Sequence, residues 1–321
     1  MRINLTRVIL FAIVVLTIAS CSKSSSGPSV TAPTQLDTLY SWTKGNQVAA
    51  DVEDVWFNDG QHGYITSNTD ILSSSDGGVS WATVPNTNGY KVFNLQFVDA
   101  LHGFAQGTAN LGKTNDGGKT WTFKLLASMA GYTSQFLTPS LGFYSDYNKG
   151  IYKTLDSGST WKLILDGSGA GPNFIFDFVD SLHGFNMVND NFSNTVDGGF
   201  SWHLVASAIT ASTFTTYYKM HFTDTLNGYC GSPLGLFKTA DGGKTWKNVL
   251  AKQTTFMVPW FFDTANGYCI AANILYKTTN GGDSWAVSCK LGTDDFSGMH
   301  FLDMNTGWAS TFGGYVLRLK P

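Results

Sequence analysis

The sequence predicts an all-β fold, a seven-bladed β-propeller of four-stranded blades whose last blade is completed by an N-terminal strand. Three observations predict it. A motif of the form NDGGKTW (115–121) recurs as SDGGVSW (75–81), LDSGSTW (155–161), VDGGFSW (196–202), ADGGKTW (240–246) and TNGGDSW (279–285). A second motif keeps the same period of roughly forty residues: FNDGQHGY (57–64), FVDALHGF (97–104), FLTPSLGF (136–143), FVDSLHGF (178–185), FTDTLNGY (222–229), FFDTANGY (261–268) and FLDMNTGW (301–308). The composition, 14% aromatic and 13% charged with 35 glycines, suits a turn-rich β protein.

Residues 1–20 read as an export signal. Arg2 and Arg7 flank a short n-region, Val8 to Ile18 is apolar, and the small residues Ala19 and Ser20 precede Cys21. The stretch is too short to span a membrane comfortably. Ile18-Ala19-Ser20-Cys21 resembles a bacterial lipobox, which implies a diacylglycerol anchor on Cys21; the alternative is a plain signal peptide cut elsewhere. Residues 21–35 then form the lipidated cysteine and a flexible tether rich in Ser, Pro and Thr. Removal of 1–20 takes away two bases and no acid, leaving the mature chain about five charges net negative. That balance excludes a nucleic-acid partner, which needs clustered Lys and Arg. Membrane contact is expected through the lipid alone, at the bacterial envelope and on the outer membrane. Cys230, Cys269 and Cys289 remain, and their pairing stays open.

The propeller is expected over 36–321. Repetition at forty residues signals stacked supersecondary units. Each unit holds an aromatic-ended strand, a tight polar turn, a Gly-aromatic strand, a short strand such as GIYKT (150–154), the DGG turn, and a strand opened by Trp. Four short strands per repeat fit a propeller blade. After FLDMNTGW the chain offers only three strands, to GGYVLRLKP. The missing strand is expected at 36–47, because Asp37 stands five before Trp42, the offset of Asp76 to Trp81, and Trp42 is in phase with the later tryptophans.

The DGG turns have a structural chemistry. Asp or Asn bonds the backbone of its own turn, paired glycines supply positive φ, and Ser or Thr adds a local partner. The Trp that follows offers a large apolar face to a neighbouring blade. Burying it is worth about 4–6 kcal/mol at ~25 cal/mol/Å² over ~150–250 Å², as an upper bound. The residues concerned are Asp76, Trp81, Asp116, Trp121, Asp156, Trp161, Asp197, Trp202, Asp241, Trp246, Asn280 and Trp285. Six copies spread around a ring do not make an active site, which needs one asymmetric constellation. One carboxylate per turn also falls far short of the six to eight oxygens that calcium takes.

The S/T-x-D-x-G-x-T/S-W pattern resembles the Asp-box, or BNR, repeat of sialidase-type propellers. The pairing of F-x-D-x-x-x-G-F/Y with D-G-G-x-T-W over seven units is most similar to the propellers of photosystem II assembly and stability factors. The resemblance covers 36–321 and implies fold strongly, activity weakly. Sialidase chemistry implies an arginine triad on the substrate carboxylate, yet beyond residue 20 the only arginine is Arg318. Glycoside hydrolysis needs a carboxylate pair, and the chain has a single glutamate, Glu53, beside Asp51 and Asp54. The photosystem role implies an arginine-rich patch that this composition cannot build.

No catalytic residue and no cofactor are expected. The residue before the first aromatic of each innermost strand is Trp56, Gln96, Gln135, Asp177, His221, Trp260 or His300, forming a ring about the axis. A metal reading of His221, His300 and Asp177 is set against their lining a wet channel or packing between blades. His62, His102 and His183 read as turn residues. Binding is expected on the face opposite the DGG turns, where loops vary between units: 86–91, 128–133, 144–149, 166–173, 188–192, 207–218 and 291–298. Tyr90, Tyr132, Tyr144, Tyr147, Asn191, Tyr217 and Tyr218 are the candidate contacts, suited to an envelope protein partner or a neutral glycan. The expectation is a monomeric, non-enzymatic, lipid-anchored assembly module. The alternative is a carbohydrate-binding or glycoside-hydrolase-like propeller using the same face.

Overall fold

The computed structural model describes residues 41–319 apart from 86, 88, 108, 127–130, 147–148, 168–174, 189–190, 208–218 and 255. The side chains of 131, 132, 206 and 207 are likewise outside it. The strands form seven antiparallel sheets of four, each taking consecutive strands in order except the last. Blade 2 is typical, with an innermost strand Val92–Phe97, then Gly103–Gly107, Asn110–Thr114 and the outer Thr122–Leu125. Blade 7 comprises Phe296–Asp303, Thr306–Thr311 and Tyr315–Leu319, and its outer strand is Trp42–Gln47. Trp42 pairs with Leu319, Lys44 with Leu317. The ring is therefore closed by the N-terminal strand. Trp42 is fully buried and donates from its indole to Ser288 Oγ at 2.9 Å in blade 6.

The second motif explains how blades stack. Its leading Phe ends the innermost strand, and its closing aromatic lies on the second strand of the same blade. That second aromatic stacks on the leading Phe of the next blade: Phe104 on Phe136 at 3.4 Å, Phe143 on Phe178 at 3.5 Å, Tyr229 on Phe261 at 3.5 Å, and, across the closure, Trp308 on Phe57 at 3.7 Å. The glycine between them is obligatory. A Cβ at Gly228 would stand 2.4 Å from the Phe222 ring, which lies flat against that backbone. The Trp after each DGG turn meets the same Phe edge-on, as Trp121 does Phe97 at 5.9 Å and 83°. It also joins the inter-blade core, where Trp121 clusters with Tyr64, Ile71 and Val84 of blade 1.

The DGG turn is a closed hydrogen-bond unit. In blade 2 the Asp116 carboxylate accepts from Thr120 N at 3.0 Å and from Thr120 Oγ1 at 2.6 Å, and Thr114 Oγ1 donates to it at 2.7 Å. Those donors hold its carboxyl down to about 2. Gly117 and Gly118 stand at φ 74° and 87°, left-handed positions that favour glycine. Gly117 N donates to Leu101 O at 2.9 Å, tying the turn to the Asp99 turn beside it. The neighbouring blade also grips it. Lys153 Nζ donates to Gly198 O at 2.9 Å, while Lys238 Nζ and Tyr229 OH donate to Gly281 O at 2.9 and 3.2 Å. The sequence motif is thus a local turn and an inter-blade latch together.

Candidate functional site

Two tiers of side chains, at alternate positions of the innermost strands, edge the axis. The first is the ring foreseen from sequence. Gln96 clamps the next blade through Phe136, its Nε2 donating to the carbonyl and its Oε1 accepting from the amide, both at 2.8 Å. Gln135 repeats this on Phe178 at 3.1 and 2.8 Å. Asp177 accepts from Phe222 N at 2.6 Å and from Gln135 Nε2 at 2.8 Å. His221 Nε2 donates to Phe261 O at 2.9 Å, and His300 Nδ1 accepts from Phe57 N at 3.3 Å. So Asp177, His221 and His300 engage successive blades rather than one another. Among the described residues no group of three or more His, Cys, Asp or Glu is placed to hold a metal.

Trp56 and Trp260 take no part in this clamp. They flank His300 instead, with ring centroids at 4.0 and 5.2 Å, giving an aromatic arc across blades 6, 7 and 1. Burial and the charge of Lys219 push His300 down to about 3, so the ring is neutral at any physiological pH.

The second tier lies two residues earlier and includes Asp54, Asn94 and Lys219. Asn94 Nδ2 donates to Ser134 O at 3.0 Å. Asp54 accepts from Val55 N and from Leu95 N of blade 2, both at 2.9 Å. Its carboxylate lies against Gly298, where a Cβ would come within 2.8 Å of Oδ1. Burial lifts Asp54 to about 6, opposed by the Leu95 amide and by Lys219, and lifts Asp177 for the same principal reason.

Together the tiers bound an axial cavity of about 490 Å³, within the range of small-ligand sites. Its walls are polarised. Trp260 and Trp56 stand on one side, Gln96, Gln135 and Asp177 on the other. Phe93, Phe256 and Lys219 also line it, from the beginnings of innermost strands, the ends that the loops 86–91, 128–133, 166–173 and 207–218 join. The cavity therefore opens toward the strand ends that lead into those loops.

The structure separates the sequence-derived contacts. Tyr90 is 38% exposed and stacks on Phe123 at 4.0 Å. Asn191 is exposed at the start of the third strand of blade 4. Tyr144 is not on the binding face. It is fully buried, packed with Phe104, Leu111 and Phe136. The reason is strand alternation: Phe143 faces blade 4, so Tyr144 must face blade 2, and a second strand is buried on both sides. The side chain of Tyr132, and Tyr147, Tyr217, Tyr218 and Cys21 entirely, lie outside the described residues. His62, His102 and His183 sit in their turns, each with Nδ1 on the turn aspartate at 2.8–2.9 Å. The Asp54 tier and the phenylalanines of the mouth were missed by sequence reasoning. Period-two counting back from the first tier would have found Asp54 and Lys219.

No family model matches the sequence, and no curated protein matches it. Solved structures do match in fold. YCF48 bound to D1 peptide shares 16% identity at a TM-score of 0.67, covering 92% of this chain and 99% of that one. YCF48 from Cyanidioschyzon merolae shares 17% at 0.69, covering 88% and 99%. A GH74 enzyme of Niastella koreensis shares 16% at 0.63 over 86% of this chain but 53% of its own, so the present chain spans about half of that enzyme. The resemblance to photosystem II assembly-factor propellers thus extends to three dimensions, as a likeness of fold.

Proposed function

We propose that this propeller is a non-enzymatic binding module, held by lipid on Cys21 at the bacterial envelope, that engages another protein through its variable-loop face. The observation that carries the reading is the polarised axial cavity at the strand ends that lead into those loops. There seven similar blades present dissimilar chemistry, an aromatic arc facing amides and carboxylates. That combination binds extended polypeptide well, since rings take apolar stems and amides take backbone groups. A propeller of like fold has been solved with a peptide bound. The lipobox-like Ile18-Ala19-Ser20-Cys21 and the Ser-rich tether support envelope anchoring, with the propeller from residue 36 as the working domain.

A second reading is favoured by the carboxylates. Asp54 and Asp177, in a cavity that Trp56 and Trp260 also line, suit a neutral glycan as well, and propellers of GH74 enzymes share the fold. Affinity capture with residues 22–321 from solubilised envelope, run beside a polysaccharide panel, separates the two. A protein captured by the parent chain and lost on Trp260→Ala is expected. Polysaccharide binding without any such protein would overturn the reading in favour of the glycan.

A further inference from the structure

The blades themselves offer a neutral solution at the axis, and two acids depart from it. Gln96 and Gln135 both donate to and accept from the next blade's backbone. Asp177 occupies the equivalent place, yet a carboxylate only accepts, so the bond to the next blade's carbonyl is lost, one from Gln135 Nε2 is taken up instead, and a recessed negative charge is gained. In the second tier Asn94 is the neutral form, and Asp54 is the charged one. Gly298 leaves the space that the Asp54 carboxylate fills. Neither charge adds a hydrogen bond in number over its amide counterpart, while a recessed charge carries a desolvation penalty.

The charges share one cavity. Glu53, also in its wall, is already paired with Lys91 at 3.3 Å. Lys219, solvent-exposed at the mouth, is close enough to act on Asp54, Asp177 and His300. Three acids face these two lysines, and the His221 imidazole, which also lines the cavity, acts on Asp177 as well. The cavity's other wall carries Trp260 and Trp56, which flank the buried His300 and suit an aliphatic stem or a cation over a ring face.

We propose that the axial cavity receives a lysine side chain of the protein partner, its stem along Trp56 and Trp260 and its ammonium between Asp54 and Asp177. Lys219 is the resident cation that the incoming lysine displaces. This rests on the protein-binding reading above and names what that site selects.

The test follows the indole N–H signals of Trp56 and Trp260 by NMR in the mature chain, assigned with Trp→Phe variants. The probes are acetyl-Gly-Lys-Gly-amide, its Nε-acetylated form, and cellotetraose. Saturable shifts with the lysyl peptide, at least tenfold tighter than with the acetylated one, are expected. Asp177→Gln, which restores the clamp used at Gln96 and Gln135 and so keeps the fold, should weaken the lysyl probe tenfold or more. Lys219→Met should tighten it. Equal binding of the acetylated peptide, indifference to Asp177→Gln, weaker binding in Lys219→Met, or shifts with cellotetraose alone would each overturn the proposal. A protein partner captured as above while the lysyl probe fails would overturn this inference and leave the binding function standing.

Discussion

The frame between the blades and the ring at the axis are built from the same seven repeats, yet they obey opposite rules. Between blades the same contacts recur: an aromatic on the next Phe, a Trp edge on that Phe, a DGG turn gripped by its neighbour. At the axis the equivalent position is Trp, Gln, Gln, Asp, His, Trp and His in turn. Where a position repeats, its chemistry is accounted for by the fold. Where equivalent positions differ, the fold tolerates the variation and a function is free to use it. Asp177 illustrates this, since its neighbours show that an amide meets the structural need.

The largest way to break the frame is at its seam. Deleting 36–47 removes the outer strand of blade 7 and the buried Trp42. We expect loss of cooperative folding, while deleting 22–35 leaves the melting temperature unchanged; equal melting of the two truncations would refute closure. Next in size is the stack. Phe178→Ala strips a ring stacked on Phe143 at 3.5 Å and edged by Trp202 at 5.9 Å. Denaturant titration should show a loss of about 3–5 kcal/mol.

A smaller effect sharpens the axis side. The folded state holds Asp54 up at about 6, above its unfolded value, so the stability it contributes is present below pH 4 and is lost as pH rises through 6. Asp54→Asn should therefore gain about 1–2 kcal/mol on the parent between pH 5 and pH 8 in chemical denaturation. Parallel pH profiles would contradict the assignment. The smallest effect belongs to the exposed turns. Asp116 is held down to about 2, so its contribution is present above pH 4 and fades as pH falls toward 2. Asp116→Asn should lower the melting temperature slightly at pH 7 to 8 and flatten the acid limb, so that variant and parent converge as pH falls toward 2.

The frame was legible because its determinants are local. The period, the F-x-D-x-x-x-G-F/Y spacing and the Asp37/Trp42 offset predict seven blades and a closing strand within 36–47, of which the structure describes the strand Trp42–Gln47. The site was only half legible. The first tier could be counted out from its aromatic neighbours, but the role of Asp54 depends on Leu95 and Gly298, brought together only by ring closure. Tyr144 misled because loop-like composition at 144–149 hid the fact that Gly142–Asp146 is a strand buried along its whole length.

The central claim is that partners are taken at the axis and not on the turn face. The direct measurement is quantitative capture from solubilised envelope by the mature chain, by Trp56→Ala/Trp260→Ala, and by Phe200→Ala. Phe200 lies in a DGG turn and is 70% exposed. The account predicts that the captured protein falls at least tenfold with the tryptophan pair and is unchanged with Phe200→Ala. Loss with Phe200→Ala while the tryptophan variant captures normally would contradict it.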